Sequence, residues 1–167
     1  CYAEIGAHEI AAFFNRKAAE IARDFGDPEI IANSEINLAL NHLAAGDIDR
    51  ASGLVAPIAA DLARSTDPWM RWRFSLHVLN AQARIAIASD DLDAALGLAD
   101  AQAAGAHAHE APKIAARATS LRGELLLAMD RRAEAHDTLR AASELANRCL
   151  LYTSDAADEE DSVDLGG

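Results

Sequence analysis

The chain has 167 residues, 27 of them acidic and 15 basic, for a formal net charge of −12. That balance argues against a general basic surface for nucleic acid. No apolar run reaches the roughly 18 residues that a membrane span needs. Apolar residues make up 51 % but aromatics only 5 %, so alanine and leucine carry the hydrophobicity and helix is favoured over strand. The two cysteines, Cys1 and Cys149, lie near opposite ends and do not make a disulfide framework.

Taken in chain order, the apolar spacing predicts helices near 6–25, 28–45, 48–64, 68–88, 91–106, 111–129 and 132–148. Asp27 before Pro28, and Asp67 before Pro68, read as an N-cap followed by proline at the first helical position. Asp47 and Asp91 can cap in the same way. Pro57 falls inside the third helix and predicts a kink there, or a division near Gly53. In the fourth, Trp72, Leu76, Leu79, Ala83 and Ala86 recur at three- and four-residue steps as one apolar stripe.

A repeat runs through these elements. Gly46-Asp47-Ile48-Asp49-Arg50-Ala51, Asp90-Asp91-Leu92-Asp93-Ala94-Ala95 and Asp130-Arg131-Arg132-Ala133-Glu134-Ala135 are polar breaks at offsets of 44 and 40 residues. A small residue precedes each break by seven positions (Ala39, Ala83, Gly123), and an alanine follows its first residue by five (Ala51, Ala95, Ala135). Asp27-Pro28 matches Asp67-Pro68 at offset 40, which places Ala11 over Ala51. Small residues on both members of a helix pair allow a close interaxial approach. Periods of 20 to 50 residues are the mark of stacked repeats.

The last unit, with Ala118, Leu121, Gly123, Leu126, Ala128 and Asp130, then Ala135, Leu139 and Ala142, resembles a tetratricopeptide repeat. Asp130 replaces the usual turn glycine and Leu126 the usual aromatic. His42 and Ala86 take that aromatic position in the earlier, weaker units. The spacing exceeds the usual repeat of about 34 residues, so the helices should be longer. The resemblance implies an all-α fold of antiparallel helix hairpins stacked as a right-handed α-solenoid. It divides the chain into the second helix of a truncated repeat (1–26) and repeats at 27–66, 67–108 and 109–148. Such arrays resemble the C-terminal regions of bacterial regulators with an ATPase core of the STAND or LuxR type, and of multidomain nucleotide cyclases.

Both ends depart from this pattern. Cys1 begins in what reads as mid-helix, so the chain is expected to be a fragment. From Cys149 to Glu159 the sequence resembles the in-frame translation of a transposase-type sequencing adapter, and Val163, Asp164, Leu165, Gly166 and Gly167 resemble its next constant stretch. Residues 149–167 are therefore expected to be an artefactual, disordered tail. They hold six acids and no base, which leaves 21 acids against 15 bases and a net −6 for residues 1–148.

Candidate chemistry is sparse. His8-Glu9 opens like a zinc-protease helix, but Ala12 stands where the second histidine would be. His107 and His109 alternate on a connector and read as polar linker residues. Cys1 has no local base to make it a nucleophile. Trp69 and Trp72 read as inter-repeat packing, with Arg71 and Arg73 flanking them in water, rather than as a nucleic-acid platform. Asp90, Asp91 and Asp93 read as helix-capping and solvated turn carboxylates. There is no glycine-rich phosphate loop. The expectation is a cytoplasmic module with no catalytic residues, no metal and no cofactor, touching neither nucleic acid nor membrane. It would bind a protein partner or another domain of the same chain, and the isolated piece would self-associate through uncapped ends. An alternative is the regulatory C-terminal part of an enzyme, a nucleotide cyclase or signal-transducing ATPase. A small-molecule groove is a further one. The resemblance places the partner groove on the first helix of each pair, at Asn33, then His77, Asn80 and Arg84, then Arg117, Ser120 and Glu124.

Overall fold

A computed structural model describes the backbone of residues 6–163 and the side chains of residues 6–149. It is all-helical, with no strand among the described residues. The elements are α1 (His8–Phe25), α2 (Pro28–Ala44), α3 (Ile48–Arg64), α4 (Pro68–Ala88), α5 (Leu92–Ala108), α6 (Pro112–Ala128) and α7 (Arg132–Val163). The expected spans agree with the first six to within two residues at each end. The backbone of α7 is helical to Val163. The side chains of residues 150–167, on which the expectation of an unpacked tail bears, lie outside the described residues.

The starts are set by side chains. Asp27 Oδ1 accepts hydrogen bonds from the backbone N–H of Glu29 and Ile30, both at 3.0 Å. Asp67 accepts from Trp69 at 2.8 Å, Asp47 from Arg50 at 3.1 Å and Asp91 from Ala94 at 3.0 Å. Each satisfies donors that the first helical turn would otherwise leave orphaned, about 1 kcal/mol apiece.

The ends are equally regular. Gly26, Gly46, Asp90, Glu110 and Asp130 all sit at positive φ, between 49° and 82°. In each case the next residue's N–H donates back across the turn, to the carbonyl of Ala22, His42, Ala86, Ala106 or Leu126 at 2.8–2.9 Å. This left-handed closure satisfies carbonyls at the helix end. The chain's rhythm is therefore one helix plus one turn, with the 40-residue unit its double. The α3–α4 turn is the exception: Ser65 is extended (φ −60°, ψ 134°) and its Oγ accepts from Asp67 N–H. The helix that follows has 21 residues where its neighbours α3 and α5 have 17. That single added turn is the source of the 44-residue offset.

Pro57 does not divide α3, which runs unbroken through it. Pro57 and Gly53 are both exposed, while Ala51, Val55, Ile58 and Leu62 stay buried on both sides of the proline. Burial of that continuous face outweighs the lost backbone bond.

Two compact units divide inside α5, between Leu98 and Ala99. In the first, α2 packs on α1, α3 and α4. Its core joins Ile36, Val55, Ile58, Leu62, Met70, Phe74 and Val78 to Ala32, Ala39 and Ala81. In the second, α6 packs on α7. There Gly123 is the point of closest approach: a Cβ at that position would lie 2.6 Å from Leu139 Cγ. The repeat alanines Ala51, Ala95 and Ala135 are all at most 1 % exposed, as are Ala39 and Ala83. These small residues occupy the positions where the sequence required paired helices to nestle.

Candidate partner-binding surfaces

The seven residues expected to line a groove fall on α2, α4 and α6. Asn33, Arg84, Arg117 and Glu124 are exposed, and His77, Asn80 and Ser120 are half-buried. Within α4, Arg84 Nε donates to Asn80 Oδ1 at 3.2 Å, and the His77 ring lies 6.0 Å from Phe74. Within α6, Ser120 Oγ donates to Glu124 Oε1 at 3.2 Å. The structure thus groups Asn80 with Arg84, and Ser120 with Glu124, each pair one helical turn apart.

Trp69 departs from the expected packing role. It is 46 % exposed, edge-to-face with Trp72 at 5.0 Å between ring centres. Arg73 lies over its ring at 5.6 Å, a cation–π contact, instead of standing apart in water. Trp72 itself is half-buried. Met70, the next residue along α4, is buried while Trp69 is exposed, because successive helical residues project about 100° apart and only Met70 faces the core.

Other features had no sequence signal. Arg122 Nε donates to Asp100 Oδ1 and Nη1 to Thr138 Oγ1, both at 2.7 Å. This clasp ties α5, α6 and α7 through one side chain, and Thr138 is buried. Nothing in residue spacing pairs positions 22 and 16 apart. A shallow groove of about 440 Å³ opens beside the extended α3–α4 turn, with Ile31, Ile58, Leu62 and Met70 on its floor and Glu35, Asp61 and Arg64 at its rim. One amide atom in each of two buried side chains, Asn41 Nδ2 and Gln102 Oε1, has no hydrogen-bond partner. Such an atom costs on the order of 1–3 kcal/mol.

Charge does little specialised work. Glu20 is held below the usual carboxylate range chiefly by a hydrogen bond from Lys17, and Glu134 likewise by one from Arg131. Both are exposed. Among the described residues no group of three histidine, cysteine or acidic side chains could hold a metal, and no helix is long and apolar enough to cross a membrane. His8 is half-buried on α1, while His107 and His109 are exposed at the end of α5. Asp91 is a helix cap and Asp90 occupies the left-handed turn position. A scan against protein-family models gives no match, and neither does a comparison with the curated proteins.

Proposed function

We propose that the chain is a tetratricopeptide-like repeat module whose first helices receive a protein segment, either a partner's or another domain's of its own polypeptide. One observation carries this reading. Four of the side chains at the expected groove positions bond along their own helix, Arg84 to Asn80 in α4 and Ser120 to Glu124 in α6. Neither pair is hydrogen-bonded to another helix among the described residues. Polar groups that take no part in bonds between helices can serve a binding surface.

The reading gives the module no reaction of its own. It acts by holding a peptide, with Arg84 and Arg117 offering charge to a carboxylate or an acidic side chain. Fluorescence anisotropy with a panel of acidic and amidated peptides tests it. Arg84→Ala and Arg117→Ala should each weaken the tightest acidic peptide about tenfold while leaving the melting temperature unchanged. Equal affinity in the variants would overturn the reading. So would a melting temperature raised by a nucleotide or metal but by no peptide.

A further inference from the structure

Among the seven described helices, only α4 lacks an acidic residue. It carries Arg71, Arg73 and Arg84 instead. None of the three pairs with a carboxylate among the described residues. Asp67, just ahead of the helix, is engaged in its cap. In α3, by contrast, Arg50 pairs with Asp47 and Arg64 with Asp61. A chain of net charge −12 thus leaves the arginines of α4 without a counter-charge.

Two of those arginines share a strip. At about 100° per residue, Trp69, Arg73, His77, Asn80, Arg84 and Ile87 fall within about 80° of one another around α4. Met70, Phe74, Val78 and Ala81 are buried to one side of that strip, and Leu76 and Ala83 to the other. The strip itself stays open. Trp69 and Ile87 at its ends are 46 and 36 % exposed; Arg84 is exposed, and Arg73, His77 and Asn80 are half-buried. Its order is apolar, cationic, polar, cationic, apolar. Arg73 lies over the Trp69 ring, and a guanidinium held against an aromatic ring still presents its N–H fork to a carboxylate. Arg84 Nε is fixed on Asn80 Oδ1, which leaves the terminal N–H groups of Arg84 and the amide N–H groups of Asn80 for an incoming chain.

The dimensions of the strip select its occupant. An 80° sector of a helix about 10 Å across is roughly 7 Å wide. That admits an extended chain, which sits about 5 Å from its neighbours in a sheet, and is too narrow for a further helix. Arg73 and Arg84 stand eleven residues apart, about 16 Å along the axis, a distance that an extended chain covers in about five residues. Two discrete carboxylates match that spacing, whereas the net negative charge of the chain repels a polyanion.

We infer that α4, taken as part of the partner surface proposed above, binds an extended acidic segment with two carboxylates about five residues apart and an apolar side chain beyond each, resting on Trp69 and Ile87. The probe is a labelled decapeptide with leucine at each end and glutamate at its third and eighth positions. Trp69 and Trp72 are the only tryptophans of the chain, so intrinsic emission reports on this corner directly and shifts to the blue as Trp69 is covered. The full chain binds the peptide about tenfold more tightly than a version with glutamine for both glutamates, and about tenfold more tightly than one with the glutamates adjacent. Trp69→Ala and Arg73→Gln each weaken binding about tenfold with the melting temperature unchanged. In a cycle of protein and peptide changes, Arg73→Gln couples to one glutamate and Arg84→Ala to the other. Binding that Arg84→Ala weakens, but that Trp69→Ala and Arg73→Gln leave alone, overturns this assignment while the first-helix surface stands. A chain that binds no peptide overturns both. Equal affinity for the adjacent-glutamate peptide overturns the extended register, and tighter binding of an oligothymidylate than of the peptide overturns the acidic segment in favour of a nucleic acid.

Discussion

The α2–α4 core and the α6–α7 pair both bury large side chains, but only the second has a glycine at a point of closest approach. In the first, large side chains fill the space between helices: Phe74, Met70, Ile36, Val55 and Leu62 meet in one cluster. In the second, Ile114, Leu121, Leu125 and Leu126 are buried along with Ala115, Ala116, Ala118 and Ala135, and Gly123 lets Leu139 approach directly. A single polar clasp through Arg122 adds to that closure. Burial of bulk stabilises both, and in the second the absence of bulk at one position permits the close approach. Contacts in the repeat can thus be closed by volume or by proximity, and the two should fail in opposite directions when side chains change size.

The largest expected effect is on the volume side. Phe74→Ala leaves a cavity where a buried ring stood, and should cost about 3–5 kcal/mol in a urea titration. A loss below about 1 kcal/mol would mean that the cluster collapses around the gap and that its packing is not decisive. On the proximity side, the informative change is an addition. Gly123→Ala gains helix propensity of about 1 kcal/mol but drives a methyl into Leu139, for a net loss of about 1–2 kcal/mol. Combined with Leu139→Ala, the same methyl has room, and in that background Gly123→Ala should become neutral or stabilising. Additive behaviour in the cycle would show that the close approach is not what fixes Gly123. The smallest effect lies at the turns. Glu110 holds a left-handed conformation (φ 49°) that glycine adopts without strain. Glu110→Gly should therefore raise stability by about 0.5–1 kcal/mol, read as a rise in melting temperature. Gly26→Ala, at φ 69° with open space around it, should lower stability by a similar amount.

Much of this scaffold is written locally. Asp27-Pro28 and Asp67-Pro68 start helices because a carboxylate caps the amides beside it, a matter of neighbouring residues. Ala39 with Ala51 and Gly123 with Ala135 announce paired helices because small residues have few other reasons to recur at matched positions. What escaped the sequence is non-local. α4 buries a second face: Met70, Phe74, Val78 and Ala81 join α2 and α3 in one core cluster, while the stripe through Leu76 and Ala83 is buried outside that cluster. One periodic stripe cannot reveal a helix surrounded on two sides. The left-handed turns at Glu110 and Asp130 lack the glycine that would have marked them. The Arg122 clasp depends on three helices being in place before its geometry exists. At the groove positions, residue type and exposure were legible, but the pairing of Asn80 with Arg84 and Ser120 with Glu124 came only with the helices.

The lengthened α4 has a consequence for how such a chain can vary. Four extra residues complete slightly more than one revolution and turn the helix by about 40° relative to an uninterrupted one. Its inward face therefore still points inward. An insertion of two residues would rotate that face by about 200° and expose it. Length in this architecture is quantised: the chain tolerates growth by whole revolutions inside a rod, and the polar connectors can stay as short as they are.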